Sequence, residues 1–90
     1  MLSKYPRDRH DAGTVERSLD VLRLTLTAEE PAQTPGVALA LWVLRRRCPD
    51  ELLLAYWDAA GSNDQDRRVQ GMTAYYHAIV RRLTFQGYHP

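Results

Sequence analysis

Apolar side chains recur at steps of three and four residues along four stretches of this chain, a spacing that is typical of amphipathic helices. The clearest stretch covers residues 63–86, and one stripe of it carries Val69, Met72, Tyr76, Val80 and Leu83. The other stretches cover residues 14–27, 35–47 and 49–60. No stretch alternates as a strand would, and the later connections are short. The pattern therefore predicts an all-α fold, a compact four-helix bundle-like single domain.

Residues that favour helix starts mark the predicted boundaries. Thr14 and Thr34 are the expected N-caps of the first two helices, because a hydroxyl oxygen accepts a free backbone N–H of the first turn. Pro35 suits the first position of the second helix, since its missing N–H needs no partner there. Ser62 and Gln65 match a capping box that would start the fourth helix.

Glycines mark the predicted helix stops. Gly61 is the expected left-handed C-cap of the third helix, and Gly87 ends the fourth. Residues 1–13 are polar and show no period, so they are expected to form a flexible N-terminal arm. The helical domain then spans residues 14–87, and residues 88–90 form a short tail.

The helical stripes also predict which residues meet in the core. The second helix is apolar on nearly every side, and the predicted inward face of the third helix includes Trp57. The residues expected to be largely buried are Leu22, Leu41, Leu44, Leu52, Tyr56, Met72, Tyr76 and Leu83.

Composition narrows the class of protein. The chain has 90 residues, a hydrophobic share of 44% and a net charge of +1, which fit one small globular domain without a global attraction to nucleic acid. Lys4 is the only lysine among twelve basic residues. A single cysteine, Cys48, suits a reducing cytoplasm. The N-terminus lacks the apolar run of a signal peptide, and the run at residues 37–44 is too short for a membrane span. A cytoplasmic location is expected, without membrane association.

The residues that could carry chemistry do not form a pattern. The three histidines and Cys48 lack the close paired spacing of a zinc site, so no metal and no cofactor are expected. Cys48 continues an apolar stripe of the second helix, which favours a packing role over a nucleophilic one. The acidic pairs at residues 50–51 and 64–66 begin helices, where negative charge is favourable without catalysis. We therefore expect no catalytic residues and no enzymatic activity.

Nucleic-acid binding is the alternative function, and it rests on three arginine clusters. They consist of Arg45, Arg46 and Arg47, then Arg67 and Arg68, then Arg81 and Arg82. Converging guanidinium groups bind phosphates, and neighbouring aromatic rings can stack on bases. A helix-turn-helix motif with Gly61 as its turn glycine fits poorly, because Asp64 and Asp66 would begin the recognition helix and oppose phosphate.

The favoured function is protein binding through two apolar faces. On the fourth helix, Gly71, Ala74 and Ala78 lie opposite the apolar stripe, and small side chains there would let another helix approach closely. Phe85 would anchor that contact, with Arg67 and Arg81 as its polar rim.

On the second helix, Leu39, Trp42 and Val43 form another apolar side. We interpret the chain as a protein-interaction module, most simply a homodimer, that also binds a larger protein partner. Its expected role is that of a phage or mobile-element-type accessory factor, acting as an inhibitor, adaptor or regulator.

Overall fold

The computed structural model describes the backbone of residues 7–87 and the burial of residues 13–87. Within residues 7–87 it contains four α-helices and one short 3-10 helix. In chain order these are α1 (Arg7–Thr25), the 3-10 helix (Pro31–Gln33), α2 (Val37–Leu44), α3 (Asp50–Ala60) and α4 (Gln65–Phe85). The described part of the chain contains no strand. The predicted all-α, bundle-like fold is confirmed.

Helix α1 begins earlier than the sequence predicted. Residues 7–13, which were assigned to a flexible arm, belong to this helix, so Thr14 lies inside it and is not its N-cap. No proline follows Pro6 in this stretch, and a single glycine at position 13 costs a helix only about 1 kcal/mol. Nothing in the stretch therefore stops a helix. Residues 1–6 of the predicted arm and the tail at residues 88–90 lie outside the described residues.

Helix α2 begins two residues later than predicted, at Val37. The chain first forms the 3-10 helix, after which the Thr34 N–H donates to the Pro31 carbonyl at 3.0 Å. Gly36 then takes a φ of 86° and precedes α2 without a side-chain cap. A residue with a Cβ rarely adopts this left-handed conformation. The predicted N-cap role of Thr34 is therefore wrong. Helix α2 also ends before the arginine cluster, at Leu44.

The corner between α3 and α4 uses different caps from those predicted. Gly61 has a φ of −92°, so it ends α3 without the left-handed conformation. The N-cap of α4 is Asp64, whose carboxylate accepts the backbone N–H of Arg67 at 3.2 Å. The Ser62 hydroxyl instead accepts the N–H of Asp64 at 3.3 Å. Asp and Ser cap helices equally well, so the predicted Ser62–Gln65 capping box was displaced by two residues.

The helices pack in two pairs, α1 on α2 and α3 on α4, and the core lies between the pairs. Six of the eight predicted core residues are buried, while Leu52 and Tyr76 are partly buried at the edge. The fully enclosed side chains with the largest volumes are Tyr56, Leu22, Leu44, Met72, Ile79, Leu83 and Thr25.

A buried hydroxyl pair joins the two helix pairs at the end of α1. The Thr25 Oγ1 donates to the Leu22 carbonyl at 2.6 Å, and the Tyr56 hydroxyl donates to the same carbonyl at 3.1 Å. The two hydroxyls also contact each other. The last four carbonyls of a helix lack helical partners, and at this end the backbone N–H of Leu26 bonds the Arg23 carbonyl instead. Tyr56 from α3 therefore caps α1.

Candidate functional site

Helix α2 buries one face and exposes the other. Its buried residues recur at steps of three and four, and they are Val37, Ala40, Leu41 and Leu44. The outward face carries Leu39, which is 64% exposed, and Trp42, which is 57% exposed, with Val43 half-buried beside them. The structure thus brings together the three residues that the sequence singled out on this helix.

The exposed apolar surface continues from α2 onto α3. Leu54 is 62% exposed and Trp57 is 38% exposed, so the predicted inward position of Trp57 is wrong. Leu54 was not among the residues predicted to bind a partner. Because residues 52–57 are apolar at every position, their periodicity did not distinguish the two faces. Tyr56 takes the core position instead, where its hydroxyl finds the buried Leu22 carbonyl.

An open groove of about 340 Å³ lies between α2 and α3, and we call it the tryptophan groove. Its walls include Ala38, Trp42, Arg45, Asp50, Leu54 and Trp57. The Arg45 guanidinium lies 5.0 Å from the centroid of the Trp42 ring, within the range of a cation–π contact. Asp50 lines the same groove, so its rim carries one charge of each sign. An apolar ligand surface suits this groove better than a phosphate.

The small-residue face of α4 is only partly available to another chain. A Cβ added to Gly71 would lie 3.0 Å from the Cβ of Ala59, so this glycine already allows a close approach of α3 within the chain. The packing of α3 therefore accounts for a glycine at position 71 without the predicted close approach of a second protein. Ala74 is exposed, and Ala78 is half-buried. Arg67 is exposed near the start of the face.

A second open groove, of about 410 Å³, lies between the start of α3 and the end of α4. We call it the arginine groove, and it is lined by Pro49, Leu52, Ala78, Arg81, Arg82 and Phe85. Phe85 is 89% exposed, the highest value among the large apolar side chains that the structure describes. Three of the residues predicted to bind a partner, Ala78, Arg81 and Phe85, therefore meet in one groove.

The structure separates the three arginine clusters into two groups. The side-chain amide of Gln86 donates to the carbonyl of Arg47 at 2.7 Å, which brings the end of α4 to the corner that follows α2. The clusters at residues 45–47 and 81–82 consequently share one end of the molecule. Residues 67–68 lie about 21 Å away along α4 at 1.5 Å per residue. There the Arg68 guanidinium donates to the carbonyl of Ser62 at 3.1 Å.

Cys48 is buried, as its place on the apolar stripe of the second helix predicted. Burial raises the pKa of the Cys48 thiol, and the positive charge of Arg82 offsets this increase in part. A raised pKa lowers the fraction of reactive thiolate at neutral pH. Within the described residues, no three His, Cys, Asp or Glu side chains are grouped as metal ligands would be.

Comparisons with protein-family models, with curated proteins and with solved structures find no match for this chain. Among the described residues, no helix has the length and apolar character needed to cross a membrane.

Proposed function

We propose that this chain is a small helical protein-interaction module that binds a protein partner through the tryptophan groove. The observation that carries the proposal is the set of exposed apolar side chains that line this groove from α2 and α3, namely Trp42, Leu54 and Trp57. Leu39, which is also exposed, lies on α2 outside the groove lining. Contiguous exposed apolar surface on a small domain is typical of interaction sites. Tryptophan is also enriched among the residues that dominate binding energies.

The proposed role is that of an accessory factor of a phage or mobile element, acting as an inhibitor, adaptor or regulator. The small size of the chain and its strong preference for arginine over lysine support this class. The proposed location is the cytoplasm, which the single buried thiol supports. The proposal includes no enzymatic activity.

A pull-down from a bacterial lysate tests the proposed groove. The wild type is compared with a Trp42→Ala, Leu54→Ala double variant, in which both changed side chains are mostly exposed and the fold should persist. Leu24→Ala is the matched control, because Leu24 is equally exposed but lies on α1. We expect the same proteins to be captured by the wild type and the control and lost with the double variant. Captured proteins that survive the double substitution would contradict the proposal.

Self-association through α4 is the second part of the proposal. It is supported by the exposed Ala74 and by the half-buried Ala78 one turn later, because small side chains allow helices to pack closely across a two-fold axis. Ala74→Glu should dissociate such a dimer while leaving the circular dichroism spectrum unchanged. Light scattering that shows a monomeric wild type at high concentration would remove this part of the proposal.

Nucleic-acid binding is the alternative function, and the shared end of the clusters at residues 45–47 and 81–82 favours it. If these arginines bind phosphates, the affinity should fall steeply with salt, and replacing Arg45, Arg46 and Arg47 by Ala should flatten that dependence. We expect weak, salt-sensitive binding or none. Sequence-specific binding in the nanomolar range at about 0.15 M salt would make this the leading function.

A further inference from the structure

We propose that the arginine groove binds an acidic amphipathic helix of a protein partner. This inference rests on the proposed protein-binding function, and it assigns a chemistry to a second surface of the module. The groove runs between two packed helices and has an apolar floor, which is the shape that receives a helix carrying apolar residues at every third or fourth position.

Phe85 supplies the apolar anchor of the groove. The side chain is 89% exposed, while the backbone that carries it is held on both sides. Leu83 is fully buried in the core, and the Gln86 amide bonds the Arg47 carbonyl at 2.7 Å. An aromatic side chain has only two rotatable torsions, so it loses less conformational freedom than a long flexible side chain when a partner covers it, and aromatic residues anchor many interfaces. Phe85 therefore suits the insertion of apolar partner side chains beside it.

The charged residues beside Phe85 indicate which charges a partner helix needs. Arg81 and Arg82 are both exposed, and no carboxylate lines the groove. Within the described residues, the structure shows a salt bridge for neither Arg81 nor Arg82. Guanidinium groups bind carboxylates in a planar, two-bond geometry. A partner helix with Asp or Glu beside its apolar stripe would satisfy both groups.

The same features favour a protein helix over a nucleic acid. Four of the six lining residues, Pro49, Leu52, Ala78 and Phe85, are apolar, and the arginine cluster at residues 45–47, although it shares this end of the molecule, does not line the groove. A phosphate backbone needs a run of cations, and within the groove that run is limited to two. Arg67 and Arg68 lie too far along α4 to extend the groove. The net charge of +1 also gives little long-range attraction for a polyanion.

A selection from displayed helical peptides tests the proposed chemistry. Each peptide carries a fixed leucine stripe and random residues beside it, and the full-length protein is the bait. We expect the enriched peptides to carry Asp and Glu about five times as often as Lys and Arg beside the stripe. The affinity of synthetic versions of these peptides should be about ten-fold lower for the Phe85→Ala variant than for the wild-type protein. An Arg81→Gln, Arg82→Gln double variant should show a similar loss.

Two matched variants control for changes in the fold. Leu24→Ala removes an apolar side chain that is 66% exposed, and Arg17→Gln removes an exposed cation, both on α1. Peptide binding by these two variants should stay within about two-fold of the wild type, since neither side chain lines the groove. Circular dichroism should give the same spectrum for every variant.

Several results would overturn the inference. Peptides without an acidic preference, or no enriched peptides at all, would show that the charges do not select the ligand. Binding that depends on Trp42 and not on Phe85 would place the site in the tryptophan groove, which leaves the proposed function standing. A 20-nucleotide single strand that binds the wild type more tightly than the peptides, and that the arginine double variant releases, would assign the groove to nucleic acid.

Discussion

Replacing the buried hydroxyls of Thr25 and Tyr56 tests how the two helix pairs are joined. Three hydrogen bonds are possible here: one between the two hydroxyls, and one from each hydroxyl to the Leu22 carbonyl. Each hydroxyl has only one proton to donate, so two protons serve these three contacts. Tyr56→Phe and Thr25→Val each remove one hydroxyl while preserving the shape of the side chain. In either single variant, the Leu22 carbonyl keeps one donor.

The expected magnitudes follow from this shared acceptor. Each single substitution should lower the free energy of unfolding by about 0.5–1.5 kcal/mol, the net value of a typical hydrogen bond. The double variant leaves the Leu22 carbonyl without either hydroxyl donor in a fully buried residue, which adds a penalty of about 1–3 kcal/mol. The double substitution should therefore cost more than the sum of the two single ones.

Urea unfolding followed by circular dichroism at 222 nm measures this double-mutant cycle. Thr27→Val is the matched control, because this exposed hydroxyl makes only a 3.5 Å contact with the Leu24 carbonyl and should change stability by less than about 0.5 kcal/mol. If the bond between the two hydroxyls dominated, each single variant would already lose it. The loss of unfolding free energy in the double variant would then be smaller than the sum of the losses in the two single variants. A sub-additive or additive result would refute the capping role of Tyr56.

Three further predictions concern stability. Leu44→Ala should lower the free energy of unfolding by about 2–5 kcal/mol, because the side chain is fully buried, and denaturant melts should show this loss. Gly71→Ala should fail to give the gain of about 1 kcal/mol that helix propensity alone offers, since the new Cβ meets Ala59; a full gain would show that α3 does not approach there. Burial raises the pKa values of Cys48 and Tyr56 above their ordinary values of 9.0 and 10.0, so the folded state retains protons that the unfolded state releases. Stability should thus be fully present below about pH 9 and fall as the pH rises through the two folded-state pKa values, an effect that Tyr56→Phe should reduce in melts at high pH.

The sequence predicted the helix order and most of the core because both depend on apolar periodicity over many residues. Helix ends depend on the conformation of single residues, and these were harder to predict. The left-handed glycines among the described residues are Gly36 and Gly87, not Gly61. Gly87 follows α4, as the predicted helix end requires. The role of Gly36 depends on the preceding 3-10 helix, which is too short to give an apolar period in the sequence.

Only part of the candidate surfaces could be predicted from the sequence. Helices α2 and α3 are apolar on nearly every side, so a pattern cannot tell which apolar residues remain outside. Leu39 and Trp42 were singled out correctly as an outer face, but Leu54 was missed and Trp57 was placed inside. The arginine groove could not be predicted from one helix alone, since Pro49 and Leu52 reach Phe85 only through the packing of α3 against α4.

The pairing of neighbouring helices has a consequence for how quickly this protein forms. Helix α1 packs on α2 and α3 packs on α4, so each pair joins segments that follow one another along the chain. The two connections, residues 26–36 and 61–64, close segments that are near in sequence, and closure entropy grows only slowly with loop length. Helical domains rich in such local contacts fold in about microseconds to milliseconds. We expect each pair to assemble independently, with the docking of Tyr56 onto the end of α1 joining the two pairs. We therefore expect the core side chains to be exposed to solvent only briefly during folding. Brief exposure limits aggregation of the newly made chain, even though many apolar side chains stay exposed in the folded state.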